Sequence, residues 1–308
     1  MSHEVTLRTS HPVVNALVGT WLADARLALP RPVTLVIDVA PLPLAGTDER
    51  AVFRQGRVAI RSGPPADTIA LDWEPRLGRA LLAPHSTTAR VTVTEQGLEH
   101  SNELLRSFLL NVCILLVRRV GLHHVHGATL RDPGGRGWLL VGVSGSGKST
   151  TTALLAKQGW GVGTDDIAFL TTGDLPASAD VVAWRERLAL HDDAVVATGH
   201  EGGTALASRR KTGWYPEELG TGWVDRITPA LLAFTTVSDT APTAVAPIRA
   251  KEALSRLMRC SPWVALEADL ADEHLGLMSR VATQARAFDV TLGRDLFDRP
   301  GLLLELIA

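Results

Sequence analysis

Cysteine is scarce: Cys113 and Cys260 are the only two in 308 residues. Two thiols cannot make a disulfide framework or complete a four-cysteine zinc site, so reduced, idle thiols in a reducing compartment are expected. Long apolar runs are also missing. The longest, Phe108 to Val117, is interrupted by Asn111 and falls far short of the about 20 residues that cross a bilayer. The opening Met-Ser-His-Glu-Val-Thr lacks the charged-then-apolar form of a signal peptide. A soluble, cytoplasmic protein with no membrane partner is therefore expected. Nor does charge of one sign accumulate: 31 basic against 33 acidic residues leave a net −2, which gives no whole-chain footprint for nucleic acid. Local basic pockets stay open to it. Internal repeats and low-complexity segments are absent, and 45% hydrophobic with 21% charged residues is a globular mixture, long enough for one large or two ordinary domains.

What the chain does have is concentrated between Gly137 and Asp166. An apolar run, Gly-Trp-Leu-Leu-Val, leads into Gly142-Val-Ser144-Gly145-Ser146-Gly147-Lys148-Ser149, which satisfies G-x-x-x-x-G-K-[ST] at every position, with a strand predicted before it and a helix after it. Glycines let the main chain curl so that successive N–H groups and the positive end of the following helix face the phosphates of a nucleotide. Lys148 supplies a mobile charge for phosphate oxygens, and the Ser149 hydroxyl suits Mg²⁺.

Residues 1–100 read as a small α+β domain: a helical pattern from His11 to Leu27, stopped by Pro30 and Pro32, then strand-like pieces at Val33–Val39, Arg57–Arg61, Thr68–Trp73 and Ala89–Thr94. Residues 101–308 read as the second domain. A helix over 101–120, with an apolar face from Leu104 to Val120 and Gly121 at its end, is expected to join the two. A strand from His123 to Leu130 follows, then the phosphate-loop strand, a helix to about Gln158 and a strand from Gly161 into Asp165-Asp166. That strand–helix–strand crossover brings both carboxylates to the sheet edge where the loop lies. Further on, the pattern predicts one strand over Val181–Leu190, a loop over Ala197–Ala207, a buried strand at Pro229–Val237, amphipathic helices at Lys251–Met258 and Ala271–Arg286, and a late strand at Phe288–Leu292.

The acidic pair narrows the chemistry. One carboxylate can hold Mg²⁺ while the other takes a proton from an attacking hydroxyl. His126, in His-His-Val-His-Gly-Ala, can hydrogen-bond a transferring phosphate or orient a carboxylate base. Strand alternation puts His124 on its face and His123 on the other. Of the basic cluster Arg209, Arg210 and Lys211, Lys211 is the candidate for fixed positive charge at the phosphoryl oxygens. Asp192 and Asp193 read as surface charges.

The order His-Gly-Ala, then Gly-Val-Ser-Gly-Ser-Gly-Lys-Ser-Thr, then a short helix ending in Gly, then Gly-Thr-Asp-Asp resembles the catalytic domain of the HPr kinase/phosphorylase family and its looser relatives, among them kinases of serine in lasso-peptide precursors and of free serine. The likeness runs from Leu104 to Thr172 and, in outline, to the C-terminus. It implies a P-loop kinase core of the HPr-kinase/carboxykinase type behind the N-terminal α+β domain, with ATP and Mg²⁺ as cofactors and a serine hydroxyl of a peptide, protein or small molecule as acceptor. Carried over by position, Gly142 to Thr150 is the cradle, Asp165 the base, Asp166 a metal ligand and His126 an assisting group. Where the family has a Leu-Glu-Ile-Arg-Gly-Leu-Gly-like segment, this chain has Arg-Glu-Arg-Leu at 185–188, which leaves Glu186 as the second metal ligand and turns the expectation from HPr toward a peptide or small-molecule acceptor. Two other readings stay open: a nucleotide-gated regulatory or transport ATPase, although no Leu-Ser-Gly-Gly-Gln signature is present, and a carboxykinase acting on oxaloacetate. Oligomeric state is likewise open, a homo-oligomer included.

Overall fold

The computed structural model describes residues 3–42, 51–63, 68–100, 102–175, 177–206 and 211–307. It is a mixed α/β protein whose contacts divide it into two compact units, Met1–Leu122 and His123–Ala308. Among the described residues no helix is long and apolar enough to cross a membrane.

In the first unit, strands β1 (Val5–Arg8), β2 (Val33–Val39), β3 (Ala51–Gln55), β4 (Val58–Gly63), β5 (Thr68–Trp73), β6 (Gly78–Leu82) and β7 (Thr88–Val93) form one sheet in the order β1-β2-β7-β6-β5-β4-β3. β1, β2 and β7 run parallel, and the others join as antiparallel neighbours. Helix α1 (Pro12–Ala25) starts where His11 Nδ1 accepts the Val14 amide, and ends before the prolines, as the sequence predicts. Two helices follow the sheet, α2 (Glu95–Glu99) and α3 (Asn102–Arg118).

The boundary expected at residue 100 lies instead after Leu122, because α3 belongs to the first unit. Phe108 of α3 stacks on Trp73 of β5 at 5.5 Å between ring centroids. Arg119, just past the helix, donates to the carbonyls of Ala83 and Ser86 at 2.5 and 3.0 Å. An apolar stripe shows that a helix is covered, not which sheet covers it.

The second unit is built on β8 (His123–Arg131), β9 (Gly137–Val141), β10 (Gly161–Thr164), β11 (Ile167–Thr172) and β12 (Ala179–Ala183), with a small sheet of β13 (Leu188–His191), β14 (Thr204–Leu206) and β15 (Lys211–Trp214) beside it. β16 (Arg226–Ile227), β17 (Pro229–Val237), β18 (Ala244–Pro247) and β19 (Arg286–Leu292) complete the main sheet. Its order is β16-β12-β11-β8-β9-β17-β19-β18, with β10 paired to β8, and the small sheet runs β13-β15-β14. Within the main sheet β9, β17 and β19 pair in parallel. The helices are α4 (Lys148–Ala156), α5 (Asp192–Thr198), α6 (Ala250–Arg259), α7 (Ala268–Gln284), α8 (Asp295–Asp298) and α9 (Leu302–Ile307).

The main sheet is covered on both faces, which is why β9 reads as a continuous apolar run. Trp138 and Leu140 join a core with Leu154 and Leu155 of α4, while Leu139 and Val141 join another with Leu257 of α6 and Met278 of α7. The single strand expected over Val181–Leu190 is two, β12 and β13, in different sheets, with Trp184 to Arg187 passing between them. The loop expected over Ala197–Ala207 holds the end of α5 and strand β14. Its Gly, Thr and Ser content hides a short pairing that tertiary contact makes.

The crossover places the site. β9 and β10 flank β8, joined by α4, and Gly127 of β8 is level with both of their ends. It lies opposite Val141 on one side, and on the other its amide donates to the Asp166 carbonyl at 3.1 Å. A side chain at Gly127 would put a Cβ 2.9 Å from the Leu140 carbonyl. Only glycine lets the strands approach this closely.

Candidate active site

The phosphate-loop motif forms a turn between β9 and α4. Gly145 and Gly147 take φ of +80° and +87°, the left-handed region that disfavours residues with a Cβ. Around Gly145 nothing lies within 4 Å of where a Cβ would be, so the mouth of the loop is open. Its floor is tight: a Cβ on Gly142 would meet Ser146 Oγ at 2.3 Å and the Thr235 carbonyl at 3.0 Å. Ser146 is buried and pairs through its hydroxyl with Thr235 of β17 at 3.1 Å, which pins the loop to the sheet. Gly147 caps α4 without a side-chain bond, so the first amides of the helix remain available to an anion.

Lys148 is buried, and its ammonium donates to the loop's own carbonyls, Gly142 at 2.7 Å and Val143 at 3.1 Å. Burial lowers its pKa, against the opposing charges of Asp166 and Asp165.

The two carboxylates sit in the break between β10 and β11, and they have different surroundings. Thr164 Oγ1 accepts the amides of Asp166 and Ile167 at 3.3 and 3.1 Å and so shapes that break. Asp165 is buried; it accepts a hydrogen bond from the Ala189 amide at 3.4 Å, and the Ser149 hydroxyl lies near enough to lower its pKa. Its pKa is raised by burial first and by the charge of Asp166 second, and the Ser149 hydroxyl, the Ala189 bond and Lys211 offset part of this. Asp166 keeps 46% of its side-chain exposure and accepts from His126 Nδ1 at 2.9 Å. Burial pushes it up, but the His126 hydrogen bond, the His126 charge and Lys148 outweigh that and hold it well below the usual carboxylate range.

His126 is fixed from behind, since its amide donates to the Cys260 carbonyl at 3.0 Å. Its neighbour on the same strand face differs. His124 packs against Phe169 and Trp263, and burial and the charge of His126 lower its pKa to about 3, so it stays neutral. His123 is buried against His274.

Ser144, Gly145, Ser146, Gly147, Lys148, Ser149, Thr150, His126, Asp165, Asp166, Glu186 and Lys211 all line one cavity of about 740 Å³. Of the cradle expected at Gly142 to Thr150, Gly142 and Val143 are not on its wall; Gly142 forms the floor behind Ser146, and Val143 is exposed. Lys211 opens β15 in register with His191, and Arg209 and Arg210 lie outside the described residues. The cavity also meets Arg187, Asp193, Val237 and Phe297, which sequence reasoning did not select. Asp193, read as a surface charge, lies in the first turn of α5 on the cavity wall. A signal for Arg187 existed in Arg-Glu-Arg; Phe297, in a four-residue helix near the end of the chain, had none.

Among the described residues no group of three or more His, Cys, Asp or Glu side chains is set to hold a metal ion. Mg²⁺ needs less, one or two carboxylates with phosphate and water oxygens. The adjacent hard oxygens of Ser149 and Asp165 fit it, and the open mouth and free amides of the loop fit a triphosphate.

No protein-family model matches the chain, and no curated protein sequence matches it. Among solved structures, the HPr(Ser) kinase/phosphatase from Coxiella burnetii is similar with a TM-score of 0.30 and 12% identity, over 60% of this chain and 93% of that chain.

Proposed function

We propose that the second unit is an ATP- and Mg²⁺-dependent phosphotransferase acting on a serine hydroxyl. The observation that carries this reading is that the phosphate loop and the Asp165, Asp166 and His126 side chains share the walls of one cavity.

In this reading the two carboxylates exchange the roles the family resemblance implies. Asp165 is the one whose pKa the nearby Ser149 hydroxyl lowers, so these two would hold Mg²⁺, which when bound neutralises charge on the β- and γ-phosphates. Asp166 is the more exposed, and its partner is His126, so this pair faces the acceptor. Asp166 orients the acceptor hydroxyl and takes its proton, while His126 Nδ1–H holds the carboxylate in place. A low-pKa base suffices because phosphoryl transfer passes through a loose transition state in which the hydroxyl proton leaves late. The loop amides and Lys148 bind the phosphates, and Lys211, on the wall of the same cavity, sets a second positive charge there. Glu186, on the cavity wall, would be a further carboxylate for holding Mg²⁺.

The test is transfer of label from [γ-³²P]ATP to L-serine and serine peptides. Asp166→Asn is expected to keep ATP and Mg²⁺ affinity and lose about 10²- to 10⁴-fold in transfer. Asp165→Asn is expected to raise the Mg²⁺ concentration required. Normal transfer by Asp166→Asn would overturn the base assignment, and label released only as inorganic phosphate would overturn the kinase reading.

A further inference from the structure

Seven of the eight tryptophans are buried, and the five of those in the second unit, Trp138, Trp160, Trp184, Trp214 and Trp263, are fully so; Trp223 is the exception. It lies beside the chain's single tyrosine, Tyr215, with ring centroids 6.4 Å apart in an edge-on arrangement. In a chain with 5% aromatic residues, a half-exposed Trp and the only Tyr meeting at the surface is an informative placement.

Each ring carries a guanidinium. Arg187 lies over Tyr215 at 3.9 Å and Arg185 over Trp223 at 5.1 Å. Both arginines come from the segment that passes between the two sheets, two residues apart. They are also tied at their far ends. Arg185 bonds Asp225 at 2.6 Å; Arg187 donates to Thr204 Oγ1 at 2.8 Å and approaches Glu218 at 3.5 Å. The result is a patch of four flat groups held rigid before any partner arrives, so little side-chain entropy remains to be lost on contact. Arg, Tyr and Trp are the residue types that dominate binding hot spots.

The patch starts at the candidate active site and leaves it. Arg187 lines the cavity with Lys211 and Asp165, whereas Arg185, Tyr215 and Trp223 are outside it. An acceptor small enough to fit within the cavity never touches them. A polypeptide whose serine enters the cavity lays its flanking residues across them. Since Asp225 and Glu218 already neutralise the two arginines, the patch has little charge left to select an acidic segment. Its ring and guanidinium planes select flat or apolar side chains.

We propose, on the basis of the phosphotransferase reading, that the acceptor is a polypeptide, and that the Arg185–Arg187–Tyr215–Trp223 patch binds an aromatic or large aliphatic side chain flanking its serine.

The test is a peptide library with a central serine and each neighbouring position scanned, labelled from [γ-³²P]ATP beside free L-serine. One flanking position is expected to favour Trp, Tyr, Phe or Leu over Ala by about tenfold in kcat/KM. Trp223→Ala and Arg185→Ala are expected to erase that preference through KM, with ATP binding unchanged as the check on folding, and Trp223→Phe to retain it. A preference that survives Trp223→Ala and Arg185→Ala, a preference for acidic flanks, no preference at all, or labelling of L-serine alone each overturns the docking patch and leaves the kinase reading standing. ATP bound with neither peptides nor L-serine labelled overturns both.

Discussion

Asp132→Asn puts a number on how the site's scaffold is held. Asp132 closes the turn between β8 and β9, and its buried carboxylate accepts three hydrogen bonds: the Arg136 amide at 2.9 Å, Arg136 Nε at 2.7 Å and Trp138 Nε1 at 3.0 Å. All three partners are donors. An asparagine has one acceptor oxygen, and its NH₂ would face an N–H whichever way the amide turns. At least one donor then loses its partner, and Trp138 is fully buried. An unsatisfied buried donor costs about 1–3 kcal/mol, so a loss of about 2 kcal/mol is expected at neutral pH. With a urea slope of about 2 kcal/mol per M, the midpoint falls by about 1 M. The sign of the pH dependence follows from the carboxyl's shift. Burial raises the pKa of Asp132, but the bonds from Trp138 and Arg136 and the Arg136 charge outweigh it and leave it lowered. A lowered folded-state pKa contributes stability that is present above the unfolded value of about 3.9 and is lost as pH falls through the folded value. The gap between wild type and variant is therefore full at pH 7 and narrows below about pH 4. Urea titration followed by tryptophan fluorescence at pH 7 and pH 3 measures it. An equal gap at both pH values, or none at pH 7, would refute the reasoning.

Three further outcomes are expected. Lys148→Ala removes the phosphate-binding ammonium and should abolish measurable ATP binding by calorimetry while the unfolding midpoint changes little; retained affinity would count against the cradle. Gly147→Ala forces a Cβ to within 2.7 Å of Leu292 and 2.9 Å of Val237 at a φ of +87°, so ATP affinity should fall by tenfold or more, a left-handed residue alone costing about 1–2 kcal/mol. Burial lifts the Cys113 thiol to about 12 and raises that of Cys260, so a thiol reagent at pH 8 should label native protein slowly and at Cys260 first, both sites reacting quickly in denaturant; prompt labelling of Cys113 in the native state would contradict its burial.

The phosphate loop was legible in the sequence because its requirements are local: the glycines, lysine and serine follow one another, and an apolar strand and a helix bracket them. Asp165 and Asp166 were legible for a related reason, since one short helix and one strand leave little freedom in where they end. Their partners were not. Which carboxylate meets Ser149 and which meets His126 is decided by the break between β10 and β11 and its Thr164 anchor, a tertiary outcome without periodicity. The helix ending at Arg118 illustrates the same limit, its stripe being as suited to one unit as to the other. The small sheet escaped notice because Thr204–Leu206 and Lys211–Trp214 are short and half polar, and they become strands only by pairing with each other and, for Lys211–Trp214, with Leu188–His191.

The lysine ammonium resting on the carbonyls of Gly142 and Val143 means that the loop supplies its own counter-ligand until a nucleotide arrives. Docking is then an exchange, in which the incoming oxyanions must draw the cation away from two oxygens it already satisfies. A small inorganic anion that coaxes the same side chain outward would compete with the nucleotide without resembling it.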